Sequence, residues 1–337
     1  VAGLILIVWL LSDIVLLIFM AVLIAVILRG ISNWAARHTH ASQGAMLALV
    51  CVLAAALLLG FLYYIGPRLS NEAQDLYGLL HHQIDHLRQT YGNTAWGKAI
   101  FRQSSPSAAM QKHVVNYARF VAASTLGSLI NALILIVTAL YFAISPDLYV
   151  HGVVMLFPLP WRPRTHHVLL KVGKTLQWWA LGQLIDMVVV GVLSGVGLAI
   201  LGVPLPLALG VLAGLLTFVP YFGAIAAALP AMLIALTIGW QTSLWVLGIF
   251  LLCHGIEGYV VSPLVQRRTV HLPPALSILS MAILGTVFGP LGVILGTPVA
   301  AAAMVGVQEA YVGGVLRDPE ILAQEQYGSL ATGQHYT

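Results

Sequence analysis

The chain has 337 residues, of which 60% are hydrophobic and only 8% are Asp, Glu, Lys or Arg. A soluble domain carries about 25% charged residues, so this composition excludes an ordinary soluble enzyme or binding module. It predicts an all-α protein that crosses a membrane several times, because apolar runs this long must satisfy their backbone groups internally. The formal net charge of +4 does not predict a nucleic-acid partner, since the basic residues lie between apolar segments, where the positive-inside rule accounts for them.

The N-terminal part, residues 1–66, predicts membrane helices. Residues 1–28 are apolar except for Ser12 and Asp13, and as one helix they would be about 42 Å long, against a hydrocarbon core of about 30 Å. They therefore form either one tilted span or two short helices that break near Asp13. A second span covers residues 44–66 and ends before Pro67, which cannot continue the helix. No charged leader precedes a cleavage site, so we expect no removable signal peptide.

A polar stretch follows at residues 67–118, where apolar residues recur at helical spacing and predict an amphipathic helix. We expect this helix to pack on the membrane domain or on a neighbouring copy of the chain. The apolar positions are Leu69, Leu76, Leu80, Ile84, Leu87 and Tyr91. The polar side of the same helix carries three histidines and an aspartate without a nearby cysteine, which indicates a solvated face and not a metal site. These are His81, His82, Asp85 and His86.

The stretch at residues 119–312 predicts a transmembrane core, followed by a polar tail at 313–337. Single spans are predicted at residues 120–144, 177–201 and 240–261. A connector rich in proline and arginine, Phe157 to Arg164, suits the level of the lipid headgroups.

Two proline-rich stretches in this core contain the same motifs in the same order. Leu205-Pro206-Leu207-Ala208-Leu209 opens a run that is interrupted at Pro220 and Gly223, and Leu272-Pro273-Pro274-Ala275-Leu276 opens one interrupted at Pro290 and Gly292. We predict two broken helical hairpins, at residues 205–238 and 273–310. Paired interrupted segments are typical of a transporter's binding site, because broken helices leave backbone groups free for a ligand. Ordinary kinked membrane helices remain an alternative, since glycine and proline are common there.

Two acids lie in the middle of predicted spans in this core. Glu257 follows His254 by three residues and Asp186 follows Gln183 by three, which places each pair on one helical face. An acid beside an imidazole or amide at membrane depth can hold a proton or a small cation. The alternative is a structural hydrogen bond between helices.

Motifs for catalysis are absent from the sequence. His254-Gly255-Ile256-Glu257 does not match the His-Glu-x-x-His metalloprotease motif, and Leu193-Ser194-Gly195 lacks the Gly-x-Ser-x-Gly nucleophile elbow. No Gly-x-x-x-x-Gly-Lys-Ser/Thr phosphate loop occurs. We therefore expect neither an enzyme nor a bound cofactor or metal.

Several of these motifs together resemble the autoinducer-2 exporter (AI-2E) family of bacterial permeases. The resemblance rests on four stretches: 205–210 leading to 219–223, Ile256-Glu257-Gly258 with Ser262-Pro263, the Pro273/Pro274 segment, and 288–292 leading to Thr297-Pro298. It implies a multi-pass permease of the bacterial inner membrane, with roughly eight apolar segments, that exports small polar molecules such as autoinducer-2. Some members of the family resemble Na+(Li+)/H+ antiporters.

Two positions depart from the family pattern. Tyr259 stands where the family typically has Asn after Glu-Gly, which removes an amide ligand. His271-Leu272-Pro273-Pro274 stands where the family often has Gly-Leu-His-Pro.

These observations lead to one functional hypothesis and two alternatives. Glu257 with His254 is predicted to form an ion or proton site, to which Asp186 and Gln183 contribute. Backbone breaks are expected to line the substrate path, at Pro220, Gly223, Gly258, Pro263, Pro290 and Gly292. The partners would be a small polar solute, Na+, Li+ or H+, the lipid bilayer and further copies of the chain. The alternatives are cation/proton antiport without an organic substrate, and a membrane scaffold that transports nothing.

Overall fold

The computed structural model describes residues 12–39, 42–69, 125–261 and 272–312, together with positions 71, 72, 75, 78, 79 and 89. Within these ranges the chain is helical and contains no strand. By length and composition alone, five of the described helices could cross a membrane, or six if one bent pair counts as a span. The prediction of an all-α, polytopic membrane protein is confirmed. The histidine cluster at 81–86, Pro263 and the tail lie outside the described residues.

The helices are numbered here in chain order. They are α1 (Ser12–Thr39), α2 (Gln43–Tyr64), α3 (Thr125–Ile144), α4 (Pro146–Met155), α5 (Arg162–Ile200), α6 (Pro206–Leu216), α7 (Phe222–Ala235), α8 (Trp240–Ile256) and α9 (Pro274–Val307). A short 3-10 turn at Leu159–Trp161 precedes α5, and π-helical turns at Glu257–Val261 and Gln308–Val312 follow α8 and α9.

Contacts divide the chain into two compact units. The first, here called unit 1, comprises Val1–Val50, Thr138–Gly182 and Pro263–Thr337, and unit 2 comprises Cys51–Val137 and Gln183–Ser262. We predict segment boundaries from composition along the sequence, whereas the two compact units are defined by contacts in space. The units therefore do not test these boundaries, which remain predictions.

In unit 1, α1 continues without a break from Ser12 to Thr39. Its Arg29 donates to the carbonyl oxygen of Ala143, 2.9 Å away, at the C-terminal end of α3. The last carbonyls of a helix have no partner within it, so a guanidinium is a favourable cap there. Helix α3 then turns by 88° into α4.

Helix α5 has 39 residues and begins at Arg162, well before the apolar span that we predict from residue 177. At about 1.5 Å per residue it is about 58 Å long, nearly twice a hydrocarbon core of about 30 Å. Its first turns carry basic residues that composition alone assigns to a connector. Pro163 does not interrupt the helix, because the first turn needs no N–H from that position.

In unit 2, the C-terminal half of α5 packs directly on α6 through glycines spaced four apart on both helices. A Cβ added at Gly210 would lie 2.7 Å from the Cα of Gly195, and one at Gly214 would lie 2.6 Å from the carbonyl oxygen of Met187. A Cβ added at Gly191 would lie 3.2 Å from the carbonyl oxygen of Gly210 and 3.3 Å from the Cα of Gly214. Small residues at this spacing let two backbones touch, which is how helices associate where the hydrophobic effect does not drive them together.

The remaining core of unit 2 lies around α6, α7 and α8. A cluster of buried apolar side chains fills it, and the Ser243 hydroxyl of α8 donates to the carbonyl oxygen of Met232 on α7, 3.1 Å away. The cluster consists of Val190, Leu198, Val203, Leu209, Ala213, Ala227, Ala231, Ile234, Ala235, Val246 and Phe250.

The first proline-rich repeat is a helical hairpin formed by α6 and α7. The turn between them contains Tyr221, whose φ of 65° is uncommon for a residue other than glycine. A Cβ at Gly223 would overlap the carbonyl oxygen of Leu216. The glycine lets the start of α7 fold closely against the end of α6.

The second repeat, α9, also folds back on itself. Gly289 has φ 64° and ψ −146°, outside the helical region. A Cβ at Gly296 would lie 2.7 Å from the Cα of Met281, whereas a straight helix would separate these residues by about 22 Å. Helix α9 is therefore a hairpin of two arms, residues 274–288 and 290–307, and neither repeat is an uninterrupted rod.

Candidate functional site

Glu257 and His254 are in direct contact where α8 passes into its π-helical turn. His254 Nδ1 lies 2.6 Å from Glu257 Oε2, and the two side chains are 26% and 27% exposed. A π-helical turn inside a membrane helix shifts the backbone register and is frequent at functional sites. A carboxylate and an imidazole at this distance can share or exchange a proton.

The other ring nitrogen of His254 is buried and has no hydrogen-bond partner among the described residues. Buried polar atoms are nearly always hydrogen-bonded, so an unsatisfied one needs a physical explanation. Nε2 is available to a water molecule, a substrate hydroxyl or another polar group that enters the site.

Asp186 of α5 belongs to the same site. Its carboxylate is close enough to that of Glu257 for the two charges to repel each other. Its Oδ1 atom is buried without a hydrogen-bond partner in the described part of the chain. The structure thus places Asp186, His254 and Glu257 in one neighbourhood within unit 2, with two unsatisfied polar atoms.

Gln183 connects this neighbourhood to the first hairpin. It is buried, and its Nε2 donates to the carbonyl oxygen of Thr217, 2.7 Å away, at the end of α6. Thr217 in turn donates its hydroxyl to the carbonyl of Ala213, at 2.8 Å. The amide of Gln183 therefore supports the hairpin break, one turn of α5 before Asp186. Sequence reasoning missed Thr217, since nothing local marks a carbonyl as an acceptor for a distant side chain.

The predicted backbone breaks differ in their surroundings. Pro220 and Gly223 lie in and just after the turn between α6 and α7, and Pro290 follows Gly289 at the apex of α9. Gly292 is buried, and a Cβ there would overlap the carbonyl oxygen of Leu284. Gly258 is exposed in its π-helical turn with open space around it. Close backbone approach thus explains Gly223 and Gly292, but not Gly258.

Two further polar contacts were not predicted from the sequence. Glu72, in the polar stretch, accepts a hydrogen bond from the N–H of Ala208 in the first turn of α6. Glu309, at the end of the second hairpin, pairs with Lys171 of α5. The sequence contains only weak signals for these two contacts. Leu205, the residue before α6, has no side chain that could cap the helix, and Glu309 is an acid at the end of an apolar run.

A groove runs along α5 and α6 beside the end of α2 in unit 2. It encloses about 850 Å³. Glycines 191, 195, 210 and 214 contribute to its wall, and almost all of its lining is apolar. Among the described residues, no group of three His, Cys, Asp or Glu side chains could hold a metal ion. The polar neighbourhood of Glu257, which contains two carboxylates and an imidazole, is our candidate ion site.

Comparisons with known proteins identify a family. Residues 1–311 match the family described as AI-2E family transporter. The chain is 30% identical over 237 residues to "Putative transport protein YrrI" of Bacillus subtilis (strain 168), a match that covers 70% of this chain and 62% of the Bacillus protein. It is 24% identical over 303 residues to YueF of the same organism, covering 84% of this chain and 82% of YueF.

One relative has a name that specifies a substrate. The "AI-2 transport protein TqsA" of Escherichia coli (strain K12) is 27% identical over 127 residues, 37% of each chain. The family match spans nearly all of the described helices, including both hairpins and Glu257. This chain belongs to the AI-2E transporter family.

Proposed function

We propose that this chain is a secondary, ion-coupled exporter of a small polar molecule in the bacterial inner membrane, and that it is not an enzyme. Glu257 and His254 would form the proton or ion site, with Asp186 as the second carboxylate. Further copies of the chain would assemble with it.

The observation that carries this proposal is the contact of His254 with Glu257 beside Asp186. Ionisable side chains at membrane depth are costly and face a protein interior or a water-filled path. Here two carboxylates and an imidazole share one neighbourhood, and the buried Nε2 of the imidazole has no hydrogen-bond partner in the described ranges. A purely structural cluster would be expected to use every buried polar atom.

The link from Gln183 to Thr217 supports coupling between this site and the first hairpin. Asp186 lies on α5 one turn after Gln183, whose amide is bonded to the hairpin break. A change in charge at Asp186 or Glu257 would alter the electric field across this turn of α5. The hairpin that bears Pro220 and Gly223 would then change its conformation in response.

The substrate class follows from the chemistry of the site and from one relative's name. Two acids and an imidazole repel anions and accept hydrogen bonds from hydroxyl groups, which suits a neutral polyol or a cation. TqsA is named an AI-2 transport protein. We propose a small hydroxylated molecule of the autoinducer-2 kind as the exported solute.

Na+(Li+)/H+ antiport without an organic solute is a second candidate. It is favoured by the electrostatic interaction of Asp186 with Glu257, because two neighbouring carboxylates attract a small cation that relieves their repulsion. Both candidates use the same carboxylates, so the solute must be measured as well as the ion.

Everted membrane vesicles that contain the full chain test the proposal. Glu257→Gln is expected to abolish ion-driven uptake of autoinducer-2 and cation/proton exchange, while Asp147→Asn, an exposed acid at the start of α4, should leave both at the wild-type rate. Wild-type rates in folded Glu257→Gln protein would refute the ion site. Exchange without solute uptake in the wild type would favour the antiporter, and neither activity would favour a scaffold.

A further inference from the structure

The groove along α5 and α6 in unit 2 is an apolar space that the described side chains leave unfilled. It encloses about 850 Å³, a volume typical of a site for one small ligand. Along α5 its lining extends from Leu184 to Ala199, which is about 22 Å at about 1.5 Å per residue. Val188, Val192 and Val196 belong to this lining and are 64%, 58% and 53% exposed, so the groove is open along one side.

The groove is lined by membrane helices, which restricts what can fill it. By length and composition, both α2 and α5 could cross a bilayer. The lining offers water almost no hydrogen-bond partners, and apolar cavities of this kind stay dry. Its length exceeds the thickness of one leaflet, which is about half of a hydrocarbon core of about 30 Å. An acyl chain of a lipid is therefore the occupant that fits the surface and the length of the groove.

The end of α2 beside the groove carries residues that are typical of the edge of a bilayer. Phe61 and Ile65 line the groove. Between them, Tyr63 and Tyr64 are each 78% exposed, and their rings pack edge to face with centroids 5.4 Å apart. Tyrosine is enriched where the hydrocarbon core meets the headgroups. The end of α2 thus marks the level at which a lipid in the groove would have its headgroup.

One turn beyond the end of α2 lies an exposed cation, Arg68. No ion pair or hydrogen bond joins its guanidinium to another described residue. The helix continues through this turn, since the N–H of Leu69 donates to the carbonyl oxygen of Ile65 at 2.8 Å. Glu72, one turn later, accepts a hydrogen bond from Ala208 at the start of α6. Because the first residues of α6 line one end of the groove, this bond holds Arg68 near that end.

We propose that this groove binds one acyl chain of an anionic phospholipid and that Arg68 binds the phosphate of the same molecule. The second acyl chain stays in the surrounding bilayer. The proposal concerns a lipid and not the exported solute, so it does not depend on the proposed transport activity.

Both parts of the site are needed to select such a lipid. Lipid tails are as apolar as the groove, so no hydrophobic force drives a chain out of the bilayer, and only packing favours the groove. The contact of a guanidinium with a phosphate is charge-assisted and can be bidentate, which makes it stronger than a neutral hydrogen bond. Arg68 therefore supplies the preference for a phospholipid, and the groove determines where its chain lies.

Native mass spectrometry of the purified full chain in detergent tests the proposal by counting bound molecules. Three probes are added at equal concentrations: phosphatidylglycerol, diacylglycerol with the same acyl chains, and glycerol phosphate. Phosphatidylglycerol has both the chains and the phosphate, whereas each of the others has one of the two. We expect one tightly bound phosphatidylglycerol per chain, roughly fivefold or more weaker binding of diacylglycerol, and no binding of glycerol phosphate.

Two variants each remove one part of the site. Val192→Trp places an indole ring in the groove, so the binding of both lipids should fall. Arg68→Gln removes the charge, so phosphatidylglycerol should bind only as well as diacylglycerol does. The matched controls are Val52→Trp, at a valine of α2 that is 64% exposed outside the groove, and Arg37→Gln, at an exposed arginine of α1. Both controls should bind the three probes like the wild type.

Three results would overturn the proposal. Equal binding of phosphatidylglycerol to Val192→Trp and Val52→Trp would show that no chain lies in the groove. Equal binding to Arg68→Gln and Arg37→Gln would show that the phosphate is held elsewhere. If Val192→Trp changed the number of chains per particle but not the bound lipid, the occupant would be a second copy of the protein.

Folding is checked from the unfolding midpoint of each variant without added lipid. If Val192→Trp lowers this midpoint, Val196→Trp replaces it, because Val196 is also an exposed residue of the lining. An open groove accepts a ring at either position without disturbing the core of unit 2. Loss of folding in both variants would therefore also count against the proposal.

Discussion

The carboxylate oxygen Oε2 of Glu72 accepts a hydrogen bond from the main-chain N–H of Ala208 at 2.7 Å, although the two residues are 136 positions apart. Ala208 lies in the first turn of α6, where N–H groups have no partner within the helix. The residue before that turn, Leu205, has φ 60° and offers no capping side chain. An acid from the polar stretch therefore completes the start of the first hairpin.

Replacement of Glu72 is expected to destabilise unit 2. Glu72→Ala removes both the cap and its favourable interaction with the helix dipole, at a cost of about 0.5–2 kcal/mol. Glu72→Gln keeps an oxygen acceptor and should cost less. Thermal unfolding in detergent measures both, and an alanine variant as stable as the wild type would contradict the capping role.

The glycine contact between α5 and α6 predicts a second effect. Gly210→Ala puts a methyl group 2.7 Å from the Cα of Gly195, so the helices must separate, at about 1–3 kcal/mol for overpacking. The matched control is Gly248→Ala in α8, where a Cβ meets nothing within 4 Å. We expect a lower unfolding midpoint only for Gly210→Ala, and equal midpoints would refute the close contact.

A third prediction concerns the apices of the two hairpins, one of which lies in each unit. Gly223→Ala and Gly292→Ala both force a methyl group into a leucine carbonyl oxygen, so each should reduce the yield of folded protein and its unfolding midpoint. Gly306→Ala, at the open end of α9, serves as the control because its surroundings are empty. Size-exclusion profiles and unfolding midpoints are compared among the three variants. If Gly292→Ala behaved like Gly306→Ala, α9 would not fold back at Gly289.

The hydrogen bond from Gln183 to Thr217 predicts a fourth effect. Gln183→Leu leaves a buried carbonyl oxygen without its donor, which costs about 1–3 kcal/mol. Gln183→Glu should be worse while its carboxyl group is ionised, because a carboxylate facing a carbonyl oxygen cannot donate. If instead the leucine variant matched the wild type in its unfolding midpoint, the bond would not stabilise the hairpin break.

The class of protein and the positions of the helix breaks could be predicted because their causes are local. Long apolar runs require helices in lipid, and a proline such as Pro220 or Pro290 disfavours continuation of a helix because it lacks the backbone N–H. The pairing of Glu257 with His254 follows from a spacing of three on a helix. That Asp186 joins them was predicted only as a hypothesis, since its distance from Glu257 depends on how α5 packs against α8.

The contacts that sequence reasoning missed join distant parts of the chain. Glu72 meets Ala208 across 136 positions, and Lys171 meets Glu309 across 138. No periodicity encodes such pairs. The start of α5 at Arg162 was missed for another reason: its first turns are polar, and polarity between apolar runs resembles a loop whether or not the backbone is helical.

The right angle between α3 and α4 has a consequence for the path of the chain. If α3 runs along the membrane normal, a helix set 88° to it lies nearly parallel to the membrane plane. Its ten residues could not reach the opposite leaflet in any orientation. Under that condition the end of α4 lies at the same membrane face as the end of α3.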